Sequence, residues 1–417
     1  MTALWYPFSQ AGTEPTQQFV RGNGNYLYDA AGRSYLNAAS GLWNLSLGLN
    51  HPQLQQRMAA QLQQLAYGTL FDAGHPPAVR LAERLVALSE GRMSKVYLST
   101  SGSAAVEVAI RLARLYHRSL GNAEKTIVVS FDQSYHGGAL LNLSASGLER
   151  PVLQQWEQPL PGFLQIPSPD QAIESLAMLQ HLLLEQSDKI ACLLFEPILG
   201  SAGVIVPDAA YIQAVQHLCK QHQVLLIADE VASGAGRCGA MFASSLLGWQ
   251  PDLIALSKSL NAGYAALGAT LICPHIVDIM TRAQTPLLYG STQDGNPVAC
   301  VAALATLDCL EQQQLLPRAT ELGARIQTAL RPLIGSTVLQ QVRGLGLMIG
   351  LELAHLDANR RPFSAAEAYE ARQLCAEQGL LLYHFAGGLS LFPPLLLTDE
   401  DLEDLLEMLS SVLKGLS

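Results

Sequence analysis

The chain has 417 residues, 49% hydrophobic and 14% charged, enough to bury a large core in two domains or one elaborated domain. A net charge of −10 gives no basic footprint for nucleic acid, whose sequence-independent affinity comes from Lys and Arg on phosphates. The opening MTALWYPFSQ lacks the parts of a signal peptide, no apolar run approaches the roughly 18 residues of a membrane span, and the seven cysteines contain no CxxC pair. Free thiols, a cytoplasmic location and neither a membrane nor a metal partner are therefore expected.

In chain order, the first 48 residues hold aromatic and glycine-rich turns. RGNGNYLYDAAGR reads as a hairpin, and the segment is expected to pack with the C-terminal part. From about 94 to 275, short apolar runs alternate with helix-period segments, the pattern of a parallel sheet covered on both faces. The clearest predicted strands are KVYLS (95–99), TIVVSF (126–131), IACLLFEP (190–197), VLLIADE (224–230) and DLIALSK (252–258). Beyond 306, helix-period stretches at 363–379 and 399–414 flank β-like runs around VRGLGLMIGLEL and LSLFPPLLL. The expected division is an N-terminal segment 1–48, a large α/β domain 49–305 and a smaller α+β domain 306–417.

Ligand sites in open α/β sheets lie beyond the carboxyl ends of the strands, so strands that end in charge matter most. One ends in Glu196, one in Asp229 and Glu230, and one in Lys258. Any one of them alone reads equally well as a solvated strand end. Lys258 is one of only six lysines, and it alone follows a run as apolar as DLIALS and precedes a small-residue loop, SLNAGYAALGA. A lysine in a low-dielectric pocket has its charged form disfavoured, which frees the amine to attack a carbonyl. An acid at a neighbouring strand tip, Asp229, suits a partner for a pyridinium nitrogen. The segment STSGSAAVEVAIRLARLYH passes from strand to helix through small residues. Its Gly102 and Ser103 N–H groups, at the positive end of the helix dipole, form an anion site or a plain N-cap.

Six segments in order carry a resemblance that covers nearly the whole chain: SGSAAVE (101–107), YHG (135–137), FEPILGSAGVIVP (195–207), LIADEVASGAGRCG (226–239), PDLIALSKSLNAGY (251–264) and STQDGNPVAC (291–300). With them the chain resembles a class III (ω-amino acid) aminotransferase of the fold-type I pyridoxal-phosphate enzymes. The resemblance implies a large domain with a mostly parallel seven-stranded sheet, a smaller α+β domain and pyridoxal 5'-phosphate as cofactor. It implies that Lys258 carries the cofactor as a Schiff base and shuttles the proton, and that Asp229 pairs with the ring nitrogen. Tyr135 and Val231 would cover the ring faces, His136 would belong to the cofactor shell, and Glu196 would lie by the phenolic side with Glu230 as a supporting carboxylate. Gly102, Ser103 and Thr292 would hold the phosphate, the threonine coming from the partner subunit of a homodimer with shared active sites.

Three departures from the family pattern bear on substrate. Ala104 stands where similar enzymes usually carry Glu, GAGRCG replaces the common GFGRTG, and Tyr383, followed by His384, stands ten residues before Pro393–Pro394 where many members place a carboxylate-binding arginine. The expected donor is thus an amine or ω-amine with apolar bulk, met by Trp43, Phe71, Tyr135 and Tyr383, and the acceptor an oxo acid such as pyruvate. Arg21, Arg33, Arg237 and His384 remain open as carboxylate contacts. A diaminopelargonate-synthase-like activity ranks lower, and an epimerase, aminomutase or decarboxylase on the same scaffold is the main alternative. A non-catalytic relative comes last, because the lysine, aspartate and ring-stacking positions are all intact.

Overall fold

The computed structural model describes residues 3–15 and 17–417. Three strands open the chain as an antiparallel sheet: β1 (Phe19–Asn23), β2 (Tyr26–Asp29) and β3 (Ser34–Leu36). The main sheet contains β4 (Lys95–Ser99), β5 (Ile127–Phe131), β6 (Phe163–Ile166), β7 (Ile190–Phe195), β8 (Leu225–Asp229), β9 (Leu253–Leu256) and β10 (Gly268–Ile272) in the spatial order β4-β10-β9-β8-β7-β5-β6. Strands β5 to β9 pair in parallel, whereas β10 runs antiparallel to both β9 and β4. Six of the seven strands therefore point the same way. Every residue of β7, β8 and β9 is buried, which is why they read as unbroken apolar runs.

Two strands of this sheet are absent from the sequence expectation. β6 is a four-residue edge strand, FLQI, with no long apolar run. β10, GATLI, begins inside what reads as a small-residue loop, because the last two residues of SLNAGYAALGA already belong to the strand.

A four-stranded antiparallel sheet of β11 (Leu339–Leu345), β12 (Met348–Leu353), β13 (Tyr383–Phe385) and β14 (Gly388–Leu391), ordered β11-β12-β14-β13, follows with the helices Leu315–Leu330, Ala365–Glu377 and Asp399–Gly415. The N-terminal segment is stitched to this part by backbone bonds. Leu36 N–H donates to Gly379 O at 2.8 Å, Leu381 N–H to Leu36 O at 2.9 Å and Phe392 N–H to Ala38 O at 2.8 Å. Among the described residues, no helix is long and apolar enough to cross a membrane.

The turn between β11 and β12 touches both the neighbouring helix and the loop beyond β8. A Cβ on Gly323 would fall 1.9 Å from the carbonyl oxygen of Gly346, and one on Gly346 would fall 2.6 Å from the backbone of Cys238. Backbone contacts cannot swing aside as a side chain can. Gly323→Ala is therefore expected to overpack this junction and cost about 1–3 kcal/mol, seen as a lower urea midpoint at unchanged slope. An unchanged midpoint would show that helix and turn can part freely.

Candidate active site

The strand direction brings one end of β4, β5, β7, β8 and β9 to the same edge of the sheet. Just past those ends stand Ser101 to Ser103, Tyr135, Glu196, Asp229 and Lys258, which line one cavity of about 190 Å³. Asp229 closes β8 and is buried. Its Oδ2 lies 2.8 Å from His136 Nδ1, and its Oδ1 accepts the Val231 N–H at 3.0 Å. The buried Nε2 of the same imidazole has no partner among the described residues.

Lys258 begins a short 3₁₀ turn, Lys258–Asn261, at φ 42°. This left-handed conformation costs a non-glycine residue about 1–3 kcal/mol. Ser257 anchors the turn by donating its Oγ–H to Leu267 O at 2.6 Å. Burial pushes the Lys258 amine below the ordinary lysine range, Asp229 and Glu196 oppose that shift, and Arg237 adds to it. Its Nζ sits 4.5 Å from the centre of the Trp43 ring. Trp43 in turn stacks on Phe392 at 4.3 Å and meets Tyr383 edge-on at 5.1 Å.

Glu196 is pinned through both oxygens, accepting from Tyr135 N–H at 3.0 Å and Gly200 N–H at 3.0 Å. Burial raises its carboxyl to about 7, with His136 lowering it and Asp229 raising it. On the facing side, Ser101 caps the helix Gly102–Ser119, its Oγ accepting from Ala104 N–H at 3.1 Å. Two glycines permit the close packing here. A Cβ on Gly102 would meet Val231 Cγ1 at 2.8 Å, and one on Gly137, at φ 119°, would meet Ser103 Oγ at 2.2 Å.

Of the residues singled out in the sequence, Trp43, Gly102, Ser103, Tyr135, His136, Glu196, Asp229, Val231 and Lys258 line the cavity. Thr292 and Phe71 do not. Both are exposed, with Tyr67 Oη–H donating to Thr292 O at 2.9 Å and the Phe71 ring beside Gly290. Tyr383 stands behind Trp43 rather than in the cavity lining. The lining also includes Leu42, Ser101, Gly137, Ser201, Ala232 and Ser257. Ser101, Gly137, Ser201, Ala232 and Ser257 lie inside the quoted motifs, whereas Leu42 is brought in by the N-terminal segment, outside all of them.

Glu230 needs correcting as a supporting carboxylate. Neighbouring residues on an extended strand face opposite ways, so Glu230 turns from the cavity and accepts the N–H groups of Ala243 at 2.6 Å and Ser244 at 2.9 Å. Burial raises it also to about 7. None of the arginines considered for a carboxylate lines the cavity. Arg237 is buried and donates to the carbonyls of Leu347 and Pro393, Arg21 lies over the Tyr28 ring, and Arg33 lies near the Tyr35 ring and donates to Glu377 O. His384 packs between the rings of Tyr369 and Tyr383.

The family model for class III aminotransferases matches residues 8–413. A probable γ-aminobutyrate transaminase 3 of Oryza sativa subsp. indica is 31% identical over 419 residues, covering 95% of this chain and 81% of that one. An adenosylmethionine-8-amino-7-oxononanoate aminotransferase of Geobacter sulfurreducens is 33% identical over 427 residues, covering 97% and 94%. Among solved structures, a PLP-bound amine transaminase from an uncultivated Pseudomonas species superposes with a TM-score of 0.94 at 33% identity, covering 100% of this chain and 99% of that one. An (S)-enantioselective ω-transaminase from Thermomicrobium roseum gives 0.91 at 28%, covering 99% and 96%.

The raised Glu196 carboxyl has a consequence for stability. Unfolded, it ionises near 4.5; folded, near 7. The proton it retains stabilises the fold fully below about 4.5, and that contribution is lost as pH rises through 7. Buried histidines such as His117, lowered to about 4 by burial, act in the opposite sense in the parent profile, so a variant is compared with its parent. Glu196→Gln is expected to gain about 2–3 kcal/mol relative to the parent between pH 5 and 7.5, read from urea midpoints of the two proteins. A constant difference across that range would mean Glu196 ionises normally.

Proposed function

The chain belongs to the class III aminotransferases, pyridoxal 5'-phosphate-dependent transferases, and from that premise we propose that it takes the amino group of a primary amine or ω-amino donor and passes it to an oxo acid such as pyruvate. The observation that carries the donor class is Tyr383 packed edge-on against Trp43, with Phe392 beneath, where a carboxylate-binding arginine would otherwise stand. A guanidinium there offers two parallel hydrogen bonds to a carboxylate; a phenol against an indole offers apolar area and one hydroxyl. The absence of Arg237, Arg21 and Arg33 from the cavity lining supports the same reading.

The residues present fit the cofactor. The ungripped helix N-terminus at Gly102 and Ser103 suits a phosphate, the partnerless His136 Nε2 marks a polar cavity wall, and the Asp229 carboxylate suits a protonated ring nitrogen. When bound, the cofactor supplies an electron-withdrawing ring that stabilises negative charge on the carbon that loses a proton.

The chain supplies the rest. Helix-terminal N–H groups of Gly102 and Ser103 hold the phosphate. His136 fixes the Asp229 carboxylate, so that it keeps the ring nitrogen charged. Tyr135 and Val231 clamp the ring between them. Lys258 would hold the cofactor as a Schiff base and serve as the base for the donor carbon's proton, since burial leaves more of its amine in the neutral form that can accept one. Trp43 shields that amine from water.

The working form we infer is a homodimer. Thr292 and Phe71 are exposed on the free chain, close to further bare apolar side chains including Tyr67, Leu70 and Leu288. A surface of that kind favours a partner, and a second copy would bring Thr292 to the phosphate and Phe71 to the donor pocket.

A donor panel tests the reading: primary amines, ω-amino acids, diamines and α-amino acids, each added without acceptor to the pyridoxal-phosphate-loaded protein while its visible absorbance is followed. Amines and ω-amino donors should bleach the band and pyruvate should restore it, while Lys258→Ala shows neither change. A clear preference for α-amino acid donors would overturn the donor assignment.

A further inference from the structure

At the edge of the main sheet opposite Lys258, three side chains with no part in the amino transfer converge. Asp252 immediately precedes β9, and Cys273 immediately follows the antiparallel β10, so the two emerge side by side, with Cys273 N–H donating to Asp252 O at 3.1 Å. Cys273 is also the N-cap of the helix Pro274–Arg282, whose second residue is His275. His275 Nε2 lies 3.4 Å from Asp252 Oδ1 and 3.7 Å from Cys273 Sγ, and Nδ1 lies 3.2 Å from the same sulfur. All three donor groups fall within 4.8 Å of one another. The Tyr116 ring meets the imidazole edge-on at 5.6 Å.

We propose that Asp252, Cys273 and His275 bind a borderline-soft divalent cation of the zinc class, through one carboxylate oxygen, one thiolate and one imidazole nitrogen, with water in the fourth position. Hard cations take oxygen ligands, whereas a sulfur, nitrogen and oxygen set selects zinc and its neighbours. Metal–nitrogen and metal–sulfur bonds of about 2.0 and 2.3 Å set the edges of a tetrahedron at roughly 3.3–3.8 Å. The Nε2–Oδ1 separation, 3.4 Å, falls on such an edge, while the sulfur lies beside the ring, nearer Nδ1 than Nε2, so the half-exposed imidazole turns on binding to share the cation with it. Asp252 is held for the task, because its Oδ2 accepts Leu226 N–H at 2.7 Å and leaves Oδ1 facing the imidazole.

His275 is 49% exposed, which gives the ion a route in and water a route to the open position. The sulfur stands at the positive end of its helix, which offsets part of the cost that burial sets on its thiolate. Binding forms the metal–sulfur bond and releases the thiol proton to solvent. Without a cation, burial pushes the Cys273 thiol up to about 12, so the Cys–His–Asp arrangement is not a nucleophile at neutral pH. Cysteine spacing could not reveal the site, because its ligands come from two different strand ends. About six residues of extended chain, roughly 20 Å, separate Asp252 from Lys258, so the site is distinct from the pyridoxal pocket.

The test uses untagged, cofactor-loaded protein stripped with a chelator and titrated with Co²⁺ as probe, then with Zn²⁺ in competition. One equivalent of Co²⁺ per chain should bind with a sulfur-to-cobalt charge-transfer band that Zn²⁺ removes. Cys273→Ser should abolish the band and His275→Ala should weaken binding by roughly tenfold or more, with amino-transfer activity and far-ultraviolet circular dichroism unchanged in both. Absence of the band in the parent, or equal affinity in parent and His275→Ala, would overturn the assignment. Should Cys273→Ser misfold, the half-exposed His275→Ala decides alone.

Discussion

Everything at the strand ends depends on placing an amine and two carboxylates together out of water. A buried charge without a partner costs several kcal/mol; Asp229 and Glu196 offset part of the burial of Lys258, while His136 offsets part of the burial of Glu196 against the repulsion of Asp229. The backbone completes the arrangement: Val231 N–H satisfies Asp229, and Tyr135 and Gly200 N–H groups satisfy Glu196. Burial still wins at Lys258 and Glu196, whose neutral forms are both favoured. Burial thus shifts both groups towards their uncharged forms, and brings Glu196 to about 7.

That arrangement has a backbone cost, concentrated where the chain turns beyond its strands. Lys258 and Ala262 in the turn after β9, Trp43 and Ser40 behind the lysine, and Ala235 in the loop past β8 all have positive φ without being glycine. Such strain persists only where the surroundings over-determine it. Here the surroundings are rigid: the Ser257 bond to Leu267, the stitching of residues 36–46 to the C-terminal part, and the contact of the Gly346 turn on Cys238. Helix, turn and loop thus fix the position of Lys258 from well outside the cavity.

How much of this could be read from the sequence follows from the same physics. Strands buried on both faces announce themselves as apolar runs, and a charge at the end of such a run is conspicuous, so Glu196, Asp229 and Lys258 were legible. Strand β10 was not, since its reversal within the sheet depends on pairing with both β4 and β9 and leaves no local mark. Alternation decides between Asp229 and Glu230, yet a run of five apolar residues, Val224 to Ala228, hides which face is which until the neighbours are known. Thr292 lies in a quoted motif and Phe71 in none, yet both are exposed on their own chain and outside its cavity, because a motif fixes a residue's place in the sequence and not the surface it faces.

The cavity is divided by origin as well as by chemistry. Its charged floor comes wholly from the large sheet, through the ends of β7, β8 and the turn after β9. The aromatic wall comes from the other parts of the chain: Trp43 from the N-terminal segment, with Tyr383 and Phe392 behind it from the C-terminal sheet. Trp43 is the only member of that wall whose ring meets the lysine amine, at 4.5 Å. Tyr383 stands behind the indole and within electrostatic reach of Tyr135, whereas Asp229 and His136 belong to the cavity floor itself. Shape at one side and charge at the other can vary almost independently, which is the physical condition for one scaffold to serve many donors.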